Sequence, residues 1–295
     1  MHTTINKAPI VGYVRYSQKI IFGDKERDMF EPEYFEYRFN IFKNVTLKSF
    51  QQQTNTNFVL LVLHSDSMPS HYKEKFRKLE KENQFLYNIY VKDTYESFDE
   101  AILNSVKYIS FVNDVAVTFR IDNDDAVQLD FIQKLSFFLK NDFKNNSISM
   151  PTNYIVKRIT EKFYKIEERY YPANSIGLAN VTTSKNFRSI FDYGQHHLVN
   201  DNYTMIVMAK NHNGGLMTIN GENAINTIDD SRAITLEKEK LNNFLIKRKI
   251  ENIDLECLNI FNEDDNSSKF SIKKILNLFI PPIIKIITLK VRSLF

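Results

Sequence analysis

Val115-Ala116-Val117-Thr118-Phe119-Arg120-Ile121-Asp122-Asn123-Asp124-Asp125 is an apolar, β-branched run that breaks abruptly into an acidic turn. The first seven residues read as a buried strand, and Asp and Asn favour the turn that ends it. Residues 10–16, 58–63 and 86–91 repeat the apolar pattern. Helical stretches lie between them. Glu31-Pro32-Glu33 puts proline early and acids in a first turn, ahead of Phe35, Phe39 and Phe42 at helical spacing. Tyr72, Phe76 and Leu79 mark a second helix. Ser97 with Glu100 three residues on predicts a capping box ahead of Ile102, Val106 and Ile109. Ile132, Leu135 and Phe138 mark a further helix beginning near Leu129.

Strands alternating with helices predict an α/β, Rossmann-type fold whose mostly parallel sheet is flanked by helices. Past residue 145 the rhythm shifts to a β-rich half with shorter segments at 154–159, 163–167, 176–181 and 216–219. The expected organisation is a domain over residues 1–262, with halves 1–145 and 146–262. An acidic, polar linker at 263–268 then opens a terminal segment, 263–295.

The chain has 295 residues, 43% hydrophobic and 25% charged, which suits a globular protein and excludes wholesale disorder. Glycine and proline number 7 each, so collagen-like and low-complexity readings fall away. No glycines are spaced as G-x-G-x-x-G or as a phosphate loop ending in Lys-Ser or Lys-Thr. A bound nucleotide would need another device. The one cysteine, Cys257, excludes an internal disulfide and a multi-cysteine zinc site and is consistent with a reducing compartment. Met1 to Ile10 has no apolar signal region, and no stretch carries 18 uninterrupted apolar residues, so the expected location is cytoplasmic.

The net charge of +3 is too small to imply a nucleic-acid partner. It is also local. Residues 270–295 carry Lys273, Lys274, Lys285, Lys290, Arg292 and no acid, and without them the chain is net negative. Ile272, Leu276, Phe279, Ile283, Ile287 and Val291 give this tail an apolar side, which Pro281-Pro282 must break or kink. A basic amphipathic helical tail of this kind is expected on an anionic membrane surface, peripheral to the inner (cytoplasmic) face. Packing on its own domain or on another subunit is the alternative.

In open α/β sheets ligands sit beyond the carboxyl ends of the strands. Arg15, Tyr16 and Ser17 follow the first such strand, Ser65 and Asp66 the second, and the acidic turn the fourth. Three carboxylates within four residues repel one another, and a hard divalent cation, Mg²⁺ or Mn²⁺, relieves that crowding. Held by one or two carboxylates, such a cation bridges to nucleotide phosphates without a glycine cradle. A solvated acidic turn without metal is the competing reading. Ala126 and Val127 exclude an EF-hand, which would have an acid or amide and then glycine there.

The segment from Val117 to Ala126 resembles the DXD-type motif of GT-A fold glycosyltransferases, and in particular the bacterial family described as putative rhamnosyl transferases. A second block is similar to that family in the same order: Arg38-Phe39-Asn40-Ile41-Phe42, Thr46 through Thr54, then Phe58 through Asp66 and Pro69. A weaker match is Ile219-Asn220-Gly221-Glu222-Asn223, where the family tends to have His before the glycine and this chain has Asn220. The resemblance covers residues 8–235. It implies a GT-A-like fold and a nucleotide-sugar donor, with Asp122 and Asp124 as metal and diphosphate contacts, Arg120 on the donor side, and Asp66 and Arg15 near the nucleoside.

Sugar transfer also needs a base for the acceptor hydroxyl. Asp201, in His196-His197-Leu198-Val199-Asn200-Asp201, is favoured for its polar surroundings, with Asp192 and Glu222 as alternatives. His197 and His212 are further candidates for a metal shell or for acceptor contact. The function expected is transfer of a sugar to a glycan or lipid-linked acceptor in bacterial surface polysaccharide synthesis. The alternatives are a nucleotidyltransferase making an activated sugar, against which stands the missing glycine-rich basic loop, and a non-catalytic glycan-binding scaffold.

Overall fold

A computed structural model describes residues 6–17, 28–172, 174–194, 199, 203–210, 213–220 and 228–260. One compact unit runs Met1–Ile260. The expected linker and basic tail lie outside the described residues, as do Asp201, Glu222, His197 and His212.

The described strands are β1 (Ile10–Arg15), β2 (Val59–Ser65), β3 (Leu86–Val91), β4 (Val115–Ile121), β5 (Ala126–Val127), β6 (Ser147–Ser149), β7 (Thr152–Arg158), β8 (Phe163–Tyr170), β9 (Ala179–Thr183), β10 (Met205–Val207), β11 (Asn213–Ile219) and β12 (Ile234–Glu237). Seven of them form one sheet in the order β10-β6-β9-β4-β1-β2-β3. The α/β expectation holds where the apolar runs are strongest: β1 pairs in parallel with β2 and with β4, and β2 with β3. β1 therefore sits at the point where the strand order reverses, with β2 on one side and β4 on the other. The register aligns Tyr13 with Arg120 and Val14 with Ile121, so Arg15 and Asp122 leave the sheet side by side.

Helices cover both faces. Glu31 caps α1 (Pro32–Ile41), accepting from the Tyr34 backbone N–H at 2.8 Å with proline at the helix start. The helix continues through a π-helical segment, Phe42–Leu47, into α2 (Lys48–Gln51). Phe35, Phe39 and Phe42 pack with Phe76 of α3 (Ser70–Glu82), and Phe35, Phe42 and Phe76 also with Tyr16, which follows β1. His64 of β2 lies in the same aromatic cluster, 4.3 Å from the Phe76 ring. On the opposite face α4 (Tyr95–Asn104) sets Phe98 and Ile102 against Val11, Tyr13, Leu61 and Leu63. α5 (Phe131–Ser136) is shorter than its apolar spacing suggests.

The start of α4 corrects the capping expectation. Thr94, not Ser97, is the cap, and its hydroxyl accepts from the Ser97 backbone N–H at 3.2 Å. Both residues carry a suitable oxygen; the extended backbone at Thr94 decides. Val106 falls in a 3₁₀ turn, Ser105–Tyr108, and Ile109 beyond it.

The β-rich half does not form one sheet. β6, β9 and β10 extend the first sheet, while a second sheet runs β12-β8-β7-β11-β5 and recruits β5 from the strand end that follows the acidic turn. There Ala126 pairs with Leu216 and Val127 with Gly215, antiparallel. One face of the second sheet, with Tyr154, Val156, Tyr164 and Ile166, buries Leu241 and Leu245 of α6 (Lys238–Ile246) together with Ile250, Leu255 and Leu258. Gly177 closes the approach between the two halves of this unit. Its φ is +64°, a Cβ there would overlap the Phe131 ring, and its N–H donates to the Arg120 carbonyl at 3.1 Å.

Candidate active site at the ends of the central strands

A crevice at the carboxyl ends of strands flanking a reversal of strand order is where open α/β sheets take ligands. Here the carboxyl ends of β1 and β4 bring together Arg15, Arg120, Asp122 and Asp124. The Asn123 side-chain amide donates to the Arg15 carbonyl at 3.0 Å, pinning the acidic turn to the end of β1. Arg120 lies with its guanidinium 3.7 Å from the Asp122 carboxylate; the arginine side chain is 11% exposed and the aspartate 43%. Arg15 stands beside them, half-buried. Burial first, then the like charge of Arg120, pushes its pKa below the usual arginine range, and Asp122 pulls it back up.

Asp124 is held from the second sheet. Its carbonyl accepts from the Thr218 hydroxyl at 2.8 Å, and its carboxylate accepts from the Asn220 side-chain amide at 2.8 Å. The position where the resembled family tends to have histidine is therefore at the acidic turn, occupied here by an amide donor. Asp125 is buried, and among the described residues neither of its carboxylate oxygens has a hydrogen-bond partner. Burial, then Asp124 and Asp122, pushes its pKa well above the carboxylate range; the Thr218 backbone N–H, close by but outside hydrogen-bonding geometry, and Arg120 oppose that.

These groups fit a hard divalent cation. The donors are all oxygen, they crowd negative charge, and a buried carboxylate is left without a donor. Among the described residues no three His, Cys, Asp or Glu side chains are placed to hold a metal ion together. Mg²⁺ usually takes only one or two carboxylates and fills its shell with phosphate and water.

Asp66 lies further along the same sheet edge and is exposed. Its backbone N–H donates to the Val91 carbonyl at 2.8 Å and its carbonyl accepts from Lys73 at 2.7 Å. Next to it the Ser65 hydroxyl donates to the Asp93 carboxylate at 2.6 Å. The sequence reading passed over Asp93, although the rule that flags residues after strands applies equally to β3. It also left Asp125 without a role and passed over Phe191, whose ring lies 5.6 Å from the Arg15 guanidinium carbon and 5.7 Å from that of Arg120. No local pattern separates such a ring from a core phenylalanine.

Asp192 caps a 3₁₀ turn, Ile190–Tyr193, in a capping box with Ser189: its carboxylate accepts from the Ser189 hydroxyl at 3.0 Å and also from the Ser189 N–H. Cys257 has its thiol pushed up to about 12 by burial, which keeps it protonated and a poor nucleophile.

The pattern of the family described as "Putative rhamnosyl transferase" matches residues 12–233. Among solved structures, the chain is similar to S. aureus TarS residues 1–349 at 9% identity and a TM-score of 0.40, with 71% of this chain and 60% of that chain covered. The same protein in complex with UDP gives 10% identity, 72% and 61% coverage and a TM-score of 0.40. The inositol-1-phosphate CTP transferase from T. maritima gives 15% identity, 81% and 95% coverage and a TM-score of 0.33. The chain thus spans 60% of the TarS chain it matches. No curated protein matches the sequence.

Proposed function

The chain belongs to the family described as "Putative rhamnosyl transferase", a family of glycosyltransferases, and from that premise we propose that it moves a sugar from a nucleoside-diphosphate donor to a hydroxyl of a glycan or lipid-linked acceptor. The observation that carries this reading is the meeting of Arg15 and Arg120 with the acidic turn at the reversal of strand order. Two guanidiniums and a carboxylate cluster suited to a cation are what a diphosphate needs in place of a glycine-rich cradle.

In transfer, the bond from the anomeric carbon to the diphosphate breaks, the acceptor oxygen forms the new bond, and negative charge builds on the leaving diphosphate. Arg15 and Arg120, already in place at the strand ends, stabilise that charge. Asp122 and Asp124 would hold the divalent cation, Mn²⁺ or Mg²⁺, which supplies Lewis-acid neutralisation of the phosphates when bound. Asp125, next to Asp124 in the chain and buried, is a third carboxyl of the same turn. Asp66 with Asp93 at the ends of β2 and β3 offers acceptors to the nucleoside. Asp201 is the proposed base for the acceptor proton, ahead of Asp192 and Glu222.

The acceptor belongs to bacterial surface polysaccharide synthesis, and the enzyme works at the cytoplasmic face of the inner membrane, reached through the basic tail at 270–295. The sequence of that tail supports this placement.

The test is thermal stabilisation by UDP, GDP, dTDP and CMP with and without Mn²⁺, in wild type and in Asp122→Ala/Asp124→Ala. A metal-dependent shift with one nucleotide, abolished in the double variant, supports the reading and identifies the donor class. No shift with any of them removes the proposed donor site and leaves a glycan-binding scaffold.

A further inference from the structure

Two half-buried arginines at neighbouring strand ends repel each other and need something to hold them in place. The Arg15 and Arg120 guanidinium carbons lie 5.6 and 5.7 Å from the centroid of the same ring, Phe191. Among the described residues no hydrogen bond or ion pair engages the Arg15 guanidinium, and its like-charge neighbour Arg120 has Asp122 only at 3.7 Å. Aromatic rings attract cations, arginine more often than lysine, by the negative potential of their faces.

The ring is itself fixed. It packs edge-on against Tyr13 at 5.6 Å and Phe98 at 5.1 Å. The turn that carries it is capped by Ser189 and Asp192, and the Ile190 N–H donates to the Thr118 hydroxyl of β4 at 2.9 Å. Thr118 in turn bonds Asn180 of β9, whose amide donates to the Arg188 carbonyl at 2.8 Å. A chain of contacts from the sheet thus sets one ring against two cations that no anionic partner among the described residues neutralises fully.

We propose that Phe191 is a positioning residue, holding Arg15 and Arg120 as a paired guanidinium clamp for the diphosphate of the donor. The inference rests on the donor-site reading given above. It adds that the clamp is preorganised by an aromatic ring and so keeps part of the affinity for a diphosphate when no metal is bound. Two planar, bidentate donors match adjacent phosphate groups in charge and in shape.

The probe is inorganic pyrophosphate, titrated calorimetrically in the presence of EDTA into wild type, Phe191→Tyr, Phe191→Leu and Phe191→Met, with unfolding temperature measured for each. Phe191→Tyr should bind as wild type does. Phe191→Leu should bind about tenfold more weakly, the loss expected from two cation–ring contacts, while unfolding within a few degrees of wild type. Phe191→Met, unbranched and of similar volume, serves if the leucine variant does not fold. A leucine or methionine variant that folds and binds pyrophosphate as tightly as wild type overturns the role of Phe191 and leaves the donor site standing. Wild type that binds neither pyrophosphate nor any of the four nucleotides, with or without Mn²⁺, overturns the donor site and the clamp together.

Discussion

The Asn220 side-chain amide donates to the Asp124 carboxylate at 2.8 Å, joining residues 96 apart in the chain and fastening the acidic turn of the first sheet to the residue that follows β11 of the second. Removing that donor should cost about 1.5–3 kcal/mol, the range for hydrogen bonds to charged groups. Asn220→Ala should lower stability in urea unfolding and weaken Mn²⁺-dependent nucleotide binding. Unchanged stability and binding would show that the position of Asp124 does not depend on this hydrogen bond.

Asp125 presents the opposite case, a buried carboxyl whose oxygens find no described hydrogen-bond partner. Asp125→Asn replaces a carboxyl whose ionisation is disfavoured at this site with a neutral amide of nearly the same shape. The free protein should unfold at an equal or higher temperature, and stabilisation by Mn²⁺ with nucleotide should fall sharply. A lower unfolding temperature without ligand would mean that the carboxyl is stabilised where it stands.

His64 makes stability depend on pH. Burial among Phe76, Tyr90 and Tyr16 lowers its pKa from 6.5 to about 3, with Asn88 opposing the shift. As pH falls, the unfolded chain takes up the proton first, so stability present above about pH 6.5 is lost progressively toward pH 3, at up to about 1.4 kcal/mol per pH unit. His64→Phe should flatten that part of the profile relative to wild type when urea unfolding is compared at pH 7 and pH 5. Parallel profiles would show that His64 titrates normally in the folded state.

Asp192 serves the turn that carries Phe191. Asn retains an acceptor for the cap but cannot act as a general base. Asp192→Asn should therefore keep transfer activity once a donor is known, whereas Asp201→Asn should abolish it. A dead Asp192→Asn enzyme with an intact fold would reassign the base.

The sequence made the first four strands legible because each is a continuous apolar run with helical spacing between, and the turn after β4 was legible because three acids in four residues are rare without a reason. The second sheet was not legible in the same way. β5 is two residues long, and its pairing with β11 is set by partners that no local pattern records. Thr94 and Ser97 both carry a capping oxygen, and only the observed backbone tells them apart. Phe191 is one of 24 phenylalanines; its place over two arginines depends on β1 and β4 being adjacent, which is a property of the sheet and not of the residues around it.

Because β5 pairs with β11, the acidic turn is complete only when the chain has folded back across a long loop, and closing such a loop costs entropy that local helices and neighbouring strands do not. The parallel core of β1, β2 and β4 can assemble earlier, so hydrogen-exchange labelling during refolding should protect β4 before β11. Simultaneous protection would contradict that order. A nascent chain that has not yet reached Asn213 would carry the acidic turn without its partner strand, so the capacity to bind a donor should be the last property this protein acquires as it is made.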